Sequence, residues 1–227
     1  MLVWLTMAWA QTPPALTCGT DRARVQCVTE KGAHLALCET PKGWAYRYGT
    51  KEVELAWDGP FWTTHLTLGP DEELSTVGFE REGYSYAVAA LQAGAKRNVR
   101  IDVAKAGKRL ASLPCATVDK ADLQGIALPA PPTSSWVGTW DGPTGSLTIT
   151  EQGGTLHVTG DALWHGGGQR IHTGEVDGSL TTKDGALVYE QDGCELRIGR
   201  DGSQLWVEDN LQCGGLNVTF AGEYTRT

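Results

Sequence analysis

Residues 184–207, DGALVYEQDGCELRIGRDGSQLWV, decide the fold class. Their apolar-rich segments are separated by three Asp-Gly pairs, which begin at Asp184, Asp192 and Asp201. Asp-Gly supplies the positive φ that the turn of a two-residue β-hairpin requires. The stretch therefore predicts antiparallel strands joined by tight turns, over residues 186–190, 194–198 and 204–207.

The same pattern extends through the C-terminal half of the chain. Two more Asp-Gly pairs, at Asp141 and Asp177, predict further turns. The other predicted strand cores are 136–140, 146–150, 155–159, 162–165, 171–176 and 216–224. Many short strands at a spacing of about ten residues are typical of a closed barrel or a sandwich.

The N-terminal half also has the period of strands. Its predicted strands lie at 23–29, 33–39, 45–48, 52–57, 84–88, 99–103 and 109–113, with one more around Phe79. Residues 117–124 instead favour one short helix, because Thr117 can cap its start and Gly125 can end it.

A proline-rich segment separates the two halves. Three prolines fall within residues 129–132, which excludes a helix and favours an extended spacer. We therefore expect an all-β protein of two small antiparallel β-barrel or sandwich domains, 17–126 and 136–227. A Pro-rich linker, 127–135, joins them.

The N-terminus and the cysteines predict export. Residues 2–9 are apolar, and Ala8-Trp9-Ala10 fits a small-x-small cleavage site, so residues 1–10 are expected to be a signal peptide. The alternative is a buried first strand. Six cysteines without a Cys-x-x-Cys pair are typical of disulfides, so we expect a periplasmic or secreted protein.

The spacing of the cysteines limits how they can pair. Cys194 and Cys213 are the two cysteines of the C-terminal half, which predicts a disulfide between them. Three pairings are open for the other four, and the favoured one joins Cys38 to Cys115 and Cys18 to Cys27.

The charge balance limits the classes of partner. The chain of 227 residues has 19 Lys and Arg against 27 Asp and Glu, a net charge of −8, which argues against a nucleic-acid binder. No apolar stretch reaches the length of about 18 residues that a membrane span needs. Residues 11–132 have 14 residues of each sign, whereas residues 133–227 have 5 basic and 13 acidic residues. The acidic domain would attract a basic partner, although five of its acids belong to Asp-Gly pairs.

Catalytic and metal-binding motifs find little support. No Gly-x-Ser-x-Gly elbow occurs, and Glu52 and Glu54 are the pair weighed for a hydrolase of cell-wall glycan. His157, His165 and His172 lie on successive predicted strands without the spacing of metal ligands. We therefore predict a protein that is not an enzyme and has no metal or cofactor.

Tryptophans supply the candidate contact surface. Trp57 and Trp62 flank a turn, where their rings could stack on a sugar or a protein. Trp206 alternates with Leu205 and Val207, so it faces away from them. The other candidates for a partner contact are Glu175, Asp209 and Asn210, and the candidates for lining an apolar cavity, in the alternative hypothesis, are Trp140 and Trp164.

Two motifs of the C-terminal half carry resemblances. Gly138-Thr139-Trp140 with Arg226 resembles the lipocalin and avidin type of barrel, in which an Arg from the last strand stacks on the Trp of the first. The run His-Thr-Gly-Glu at 172–175, followed by Asp-Asn at 209–210 and CGGLNVTFAGEYTR at 213–226, resembles a domain of uncharacterised exported bacterial proteins. That resemblance covers residues 133–227 and implies no established activity.

The N-terminal half is similar to small periplasmic lysozyme inhibitors. Cys38 near its start and Leu113-Pro114-Cys115 at its end carry that resemblance, which implies a disulfide-tied β-barrel. The inhibitory Ser-Gly-x-x-Tyr loop of that family is absent from the sequence. We expect an exported binding protein of the bacterial envelope whose partner is a basic protein such as a lysozyme. The alternatives are a barrel for a small apolar ligand and a structural component of an envelope assembly.

Overall fold

The computed structural model describes residues 16–167 and 170–227 and is nearly all β. The predicted signal peptide, 1–10, lies outside the described residues. The first nine strands are β1 (Arg22–Thr29), β2 (His34–Thr40), β3 (Gly43–Gly49), β4 (Leu55–Trp57), β5 (Trp62–Gly69), β6 (Glu72–Arg81), β7 (Tyr84–Ala93), β8 (Lys96–Lys105) and β9 (Lys108–Ala121).

A second set of nine strands follows a single 3-10 turn at Thr133–Ser135. These strands are β10 (Gly138–Asp141), β11 (Gly145–Gln152), β12 (Thr155–His165), β13 (Ile171–Ser179), β14 (Thr181–Lys183), β15 (Ala186–Gln191), β16 (Cys194–Asp201), β17 (Gln204–Asp209) and β18 (Gly222–Arg226).

Each set forms one antiparallel sheet, in which most strands that follow each other in the chain are paired. The pairs β1–β9 and β10–β18 bring the two ends of each domain together. The consecutive strands β4 and β5 lie at opposite edges of the first sheet, and β13 and β14 lie at opposite edges of the second. One sheet curves into a half-barrel and the other into a nearly closed barrel. The prediction of an all-β chain with two antiparallel sheets is therefore confirmed.

Two separate apolar cores lie inside the two sheets. The largest fully buried side chains of the first are Leu35, Leu37, Tyr46, Phe79 and Ile101. Those of the second are Trp136, Trp140, Leu147, Ile149, Phe220 and Tyr224. Each core is formed by alternate residues of its strands, as the period of two requires.

The Asp-Gly turns are confirmed only in part. Asp184 and Asp192 have φ values of 53° and 52°, and each begins a two-residue hairpin turn. The turn predicted at Asp177 is wrong, because this residue lies inside β13. There it pairs with Thr159 of β12, a single strand of eleven residues that runs through both of the strand cores predicted at 155–159 and 162–165.

Two other predictions of local structure are wrong. Most of the helix predicted over 117–124 is instead the end of β9, which pairs with β8 and then, up to Ala121, with β1, so sheet pairing overrides the local capping signal. The predicted strand over 216–224 begins only at Gly222, because residues 211–221 form a loop. Strand β5 and most of β6 were not predicted.

Three disulfides are present, and two of the favoured pairings are wrong. Cys194–Cys213 is confirmed, but Cys18 pairs with Cys38 and Cys27 pairs with Cys115. The reason is the alternation of side chains along a strand. Cys38 packs with Ala36 and Ala45 in a small cluster apart from the main core, whereas Cys27 belongs to that core.

The two domains are docked through a largely polar interface. Thr64 Oγ1 of β5 donates to the carbonyl oxygen of Arg200 at 2.8 Å, and Arg109 donates to the side chain of Gln204. Leu66 fills the space beside Gly199, where an added Cβ would be only 2.2 Å from its Cδ1.

The predicted linker lies against the first domain. Leu128 packs on its core beside Ile126, the last residue of the predicted first domain, and the backbone N–H of Thr63 donates to the carbonyl of Pro129 at 2.9 Å. Within the described residues, no helix is long and apolar enough to cross a membrane.

Candidate functional site

A groove of about 500 Å³ lies between the two domains. One wall is the β5–β6 hairpin, which contributes Thr67, Leu68 and Glu72. The opposite wall is the outer face of β16 and β17, and the residues it contributes include Glu195, Arg197, Trp206 and Glu208.

Strand alternation explains why these side chains share one face. On β16 the side chains of Leu196 and Ile198 lie in the second core, and on β17 those of Leu205 and Val207 do. The intervening residues therefore point away from the core and towards the groove. Trp206 pairs with Gly199 across the sheet, so no side chain of β16 stands directly opposite the indole ring.

The groove is acidic. Its lining includes Glu72, Glu195 and Glu208 and one basic residue, Arg197, whose Nε is 4.0 Å from Glu208 Oε2. Burial raises the pKa of Glu208, Arg197 opposes that change, and the charge of Glu195 adds to it. An acidic groove beside an indole ring suits a cationic group, which both the carboxylates and the ring face attract.

Asp209 also lines this groove, but its carboxylate already has partners. Oδ2 accepts hydrogen bonds from the hydroxyl of Thr219, at 2.8 Å, and from the backbone N–H of Phe220. Oδ1 accepts one from the backbone N–H of Leu211 at 2.9 Å. Asp209 thus holds the loop 211–221 in place.

Asn210 has a similar structural role at the groove. Its Nδ2 donates to the carbonyl of Gly193 at 2.7 Å, and its Oδ1 accepts from the backbone N–H of Glu195 and of Gln212 at 3.2 Å each. Asn210 therefore positions the first residues of β16, Glu195 among them.

The remaining predicted contact residues lie elsewhere. Glu175 is exposed on β13, beside a separate cavity of about 620 Å³ between β13 and β15. Trp57 is stacked on Phe79 with ring centroids 5.5 Å apart, and Trp62 is buried with the guanidinium of Arg200 5.6 Å from its ring. The structure brings together Trp206, Asp209 and Asn210 and separates them from the other three.

The two tryptophans of the apolar-ligand hypothesis differ in their surroundings. Trp140 is buried in the second core, and its Nε1 donates to the carbonyl of Trp136 at 3.0 Å. The guanidinium of Arg226 lies 4.7 Å from the ring of Trp140, the contact implied by the resemblance to lipocalins. Trp164 is half-buried against His172. Trp140 packs among buried apolar side chains that include Leu147, Ile149 and Phe220.

Four charged residues of the groove were not predicted as site residues from the sequence. Glu195, Arg197 and Glu208 alternate with buried residues of strands that were predicted, so alternation could have placed them beside Trp206. Glu72 could not be found, because it belongs to a strand that the sequence did not reveal.

In the described part of the chain, no group of three His, Cys, Asp or Glu is arranged to hold a metal ion. Comparison with protein-family models, curated proteins and solved structures gave no match.

Proposed function

We propose that the chain is an exported, non-enzymatic protein that binds a basic protein partner and takes a Lys or Arg side chain of that partner into the interdomain groove. The observation that carries the proposal is the position of Trp206 beside Glu195 and Glu208, with Glu72 on the opposite wall. A cation there would lie against the indole ring and next to carboxylates, and each of these contacts is favourable.

The charge distribution supports a basic partner. The whole net charge of −8 belongs to residues 133–227, which would raise the rate of association with a positively charged protein. Three disulfides are compatible with a location outside the cytosol, where a lysozyme is the first such partner to test.

Trp206→Ala is expected to weaken binding of a basic protein about 30-fold, since buried aromatic residues dominate binding energy at interfaces. The measurement is calorimetric titration of the full chain with a lysozyme at low ionic strength. Trp57→Ala is the control, because Trp57 lies on the first domain away from the groove. Loss of affinity in Trp57→Ala alone would contradict the proposed site. If the natural chain does not bind a lysozyme at high micromolar concentration, a lysozyme is excluded as the partner.

Binding of the cation should depend on pH through Glu208. Because the pKa of Glu208 is raised, this carboxylate takes up a proton at a higher pH than an ordinary Glu does. Affinity should therefore fall on acidification before ordinary carboxylates titrate. Titrations between pH 4 and 8 at constant ionic strength should show this fall in the natural chain. It should disappear in Glu208→Gln and persist in Glu151→Gln, an exposed carboxylate on β11. A pH profile that Glu208→Gln leaves unchanged would exclude Glu208 from the contact.

A further inference from the structure

A smaller cavity of about 230 Å³ lies at a different part of the domain junction. The first domain, the linker and the second domain all contribute to its wall. The lining residues that can donate or carry charge are Glu80, Ser85, Ser134, Ser135, Arg200 and Arg226. This cavity shares no lining residue with the interdomain groove, so a ligand bound in it would be independent of the proposed function.

Arg200 is buried in the wall of this cavity without a full set of acceptors. Its side chain is 5% exposed, and its Nε donates to the carbonyl of Gly202 at 2.8 Å. Nη1 has no hydrogen-bond acceptor among the described residues, and the nearest carboxylate oxygen, Oε1 of Glu80, is 3.8 Å away. A buried guanidinium that lacks acceptors is costly, and an anion would supply them.

Arg226 places a second guanidinium at the same cavity. Its Nε is buried without an acceptor in the described part of the chain. The backbone leaves room for this side chain at two glycines, since a Cβ on Gly107 would be 2.5 Å from Nη1 and a Cβ on Gly138 would be 2.8 Å from Nε.

The two guanidiniums line the same cavity. Burial lowers the pKa of Arg200 to about 10, and the charge of Arg226 contributes to that change, whereas Glu80 opposes it. With Glu80 as the single carboxylate among the lining residues, the cavity has a formal charge of +1. Two cations held together around a partly enclosed space are stabilised by a bound anion.

We propose that this cavity binds the oxyanion group of a small ligand between Arg200 and Arg226, with the hydroxyl of Ser134 at its rim. Guanidinium groups recognise phosphate, sulfate and carboxylate through paired N–H donors, so these three groups share the chemistry that the cavity offers. The volume accepts such a group with a short organic substituent or a few waters.

The test uses the full chain with inorganic phosphate, and then with sulfate and acetate, at constant ionic strength. The side-chain Nε–H signals of Arg200 and Arg226 in the nitrogen–proton NMR spectrum should shift saturably. Those of Arg22, an exposed side chain with partners of its own, should not. The order of affinity among the three anions distinguishes a tetrahedral from a planar ligand group. No shift at Arg200 and Arg226, or equal linear shifts at all three arginines, would overturn the proposal.

Two variants with opposite expected effects sharpen the test. Ser134→Asp places a carboxylate at the rim and should weaken phosphate binding about tenfold, whereas Glu80→Gln removes the competing carboxylate and should strengthen it severalfold. Ser134 is exposed, so its substitution leaves the core intact. Ser179→Asp, at an exposed position on β13, adds the same charge elsewhere and should leave the affinity unchanged. Equal weakening by both Asp variants would mean that phosphate responds only to net charge, which contradicts the cavity.

Discussion

Replacing Cys27 and Cys115 together with Ala is expected to lower the free energy of unfolding by about 4–5 kcal/mol. This disulfide joins residues 88 positions apart, and the entropy that a cross-link removes from the unfolded chain grows with the length of the loop it closes. It ties β1 to β9, the pair of strands that joins the beginning of the first domain to its end. The free energies of unfolding of the natural chain and the variant are measured in urea, without oxidant or reductant, so that the other two disulfides stay intact.

The Cys18–Cys38 pair provides the matched control. It closes a loop of only 20 positions, so its replacement with two Ala should cost about 3 kcal/mol by the same argument. A loss for this pair equal to or larger than that for Cys27 and Cys115 would contradict the ranking by loop length. Free thiols in the natural chain, recovered from its own host, would contradict the pairing itself.

The wrong pairing of the cysteines shows what spacing along the chain cannot supply. The sequence predicted β1, β2 and a disulfide to the end of the first domain. It did not reveal on which face of β2 Cys38 lies. Ala36 and Cys38 share one face of the strand, and Leu35 and Leu37 occupy the other, but all four are apolar and buried. When both faces of a strand are covered, alternation of polar and apolar residues no longer marks the core face.

Only the wall of the groove formed by β16 and β17 was predictable from the sequence, because these two strands were predicted. Trp206 was placed on the outer face of its strand because Leu205 and Val207 flank it, and the structure has it there. The opposite wall was not predictable, because it comes from the β5–β6 hairpin of the other domain. In β5 the polar Thr63 and Thr64 are both buried, and the Thr64 hydroxyl bonds to the second domain, so the strand lacks an apolar stripe that could have revealed it.

Because the two domains are docked, the charges counted for each half of the chain do not all lie on its surface. Asp201 was counted among the five acids of the Asp-Gly pairs, yet its side chain is fully buried. It pairs with Arg100, which reaches across from β8 of the first domain. Asp102, also fully buried, accepts a hydrogen bond from Arg100 Nε at 2.9 Å. One guanidinium therefore pairs with two buried carboxylates, one from each domain.

Arg100→Met is accordingly expected to destabilise the chain by about 3–5 kcal/mol. It keeps much of the side-chain volume but leaves Asp102 and Asp201 buried without their shared cation, and an uncompensated buried charge is strongly destabilising. The measurement is the free energy of unfolding in urea. Arg22→Met is the control, since Arg22 is 61% exposed and its ion pairs at 3.5 Å lie at the surface, where a pair contributes less than about 1 kcal/mol.

A double variant separates the electrostatic cause from a general loss of packing. If the unpaired buried carboxylates cause the loss of stability, adding Asp201→Asn to Arg100→Met should recover part of it, because one buried charge is removed. Asp201→Asn in the natural chain should instead be destabilising, since Arg100 then loses one of its partners. Additive losses in the double variant would contradict this account.

The Arg100 ion pairs also join the two domains whose facing walls form the groove. Arg100→Met should therefore weaken binding in the groove to the extent that the docking of the domains is lost, although Arg100 does not line the groove.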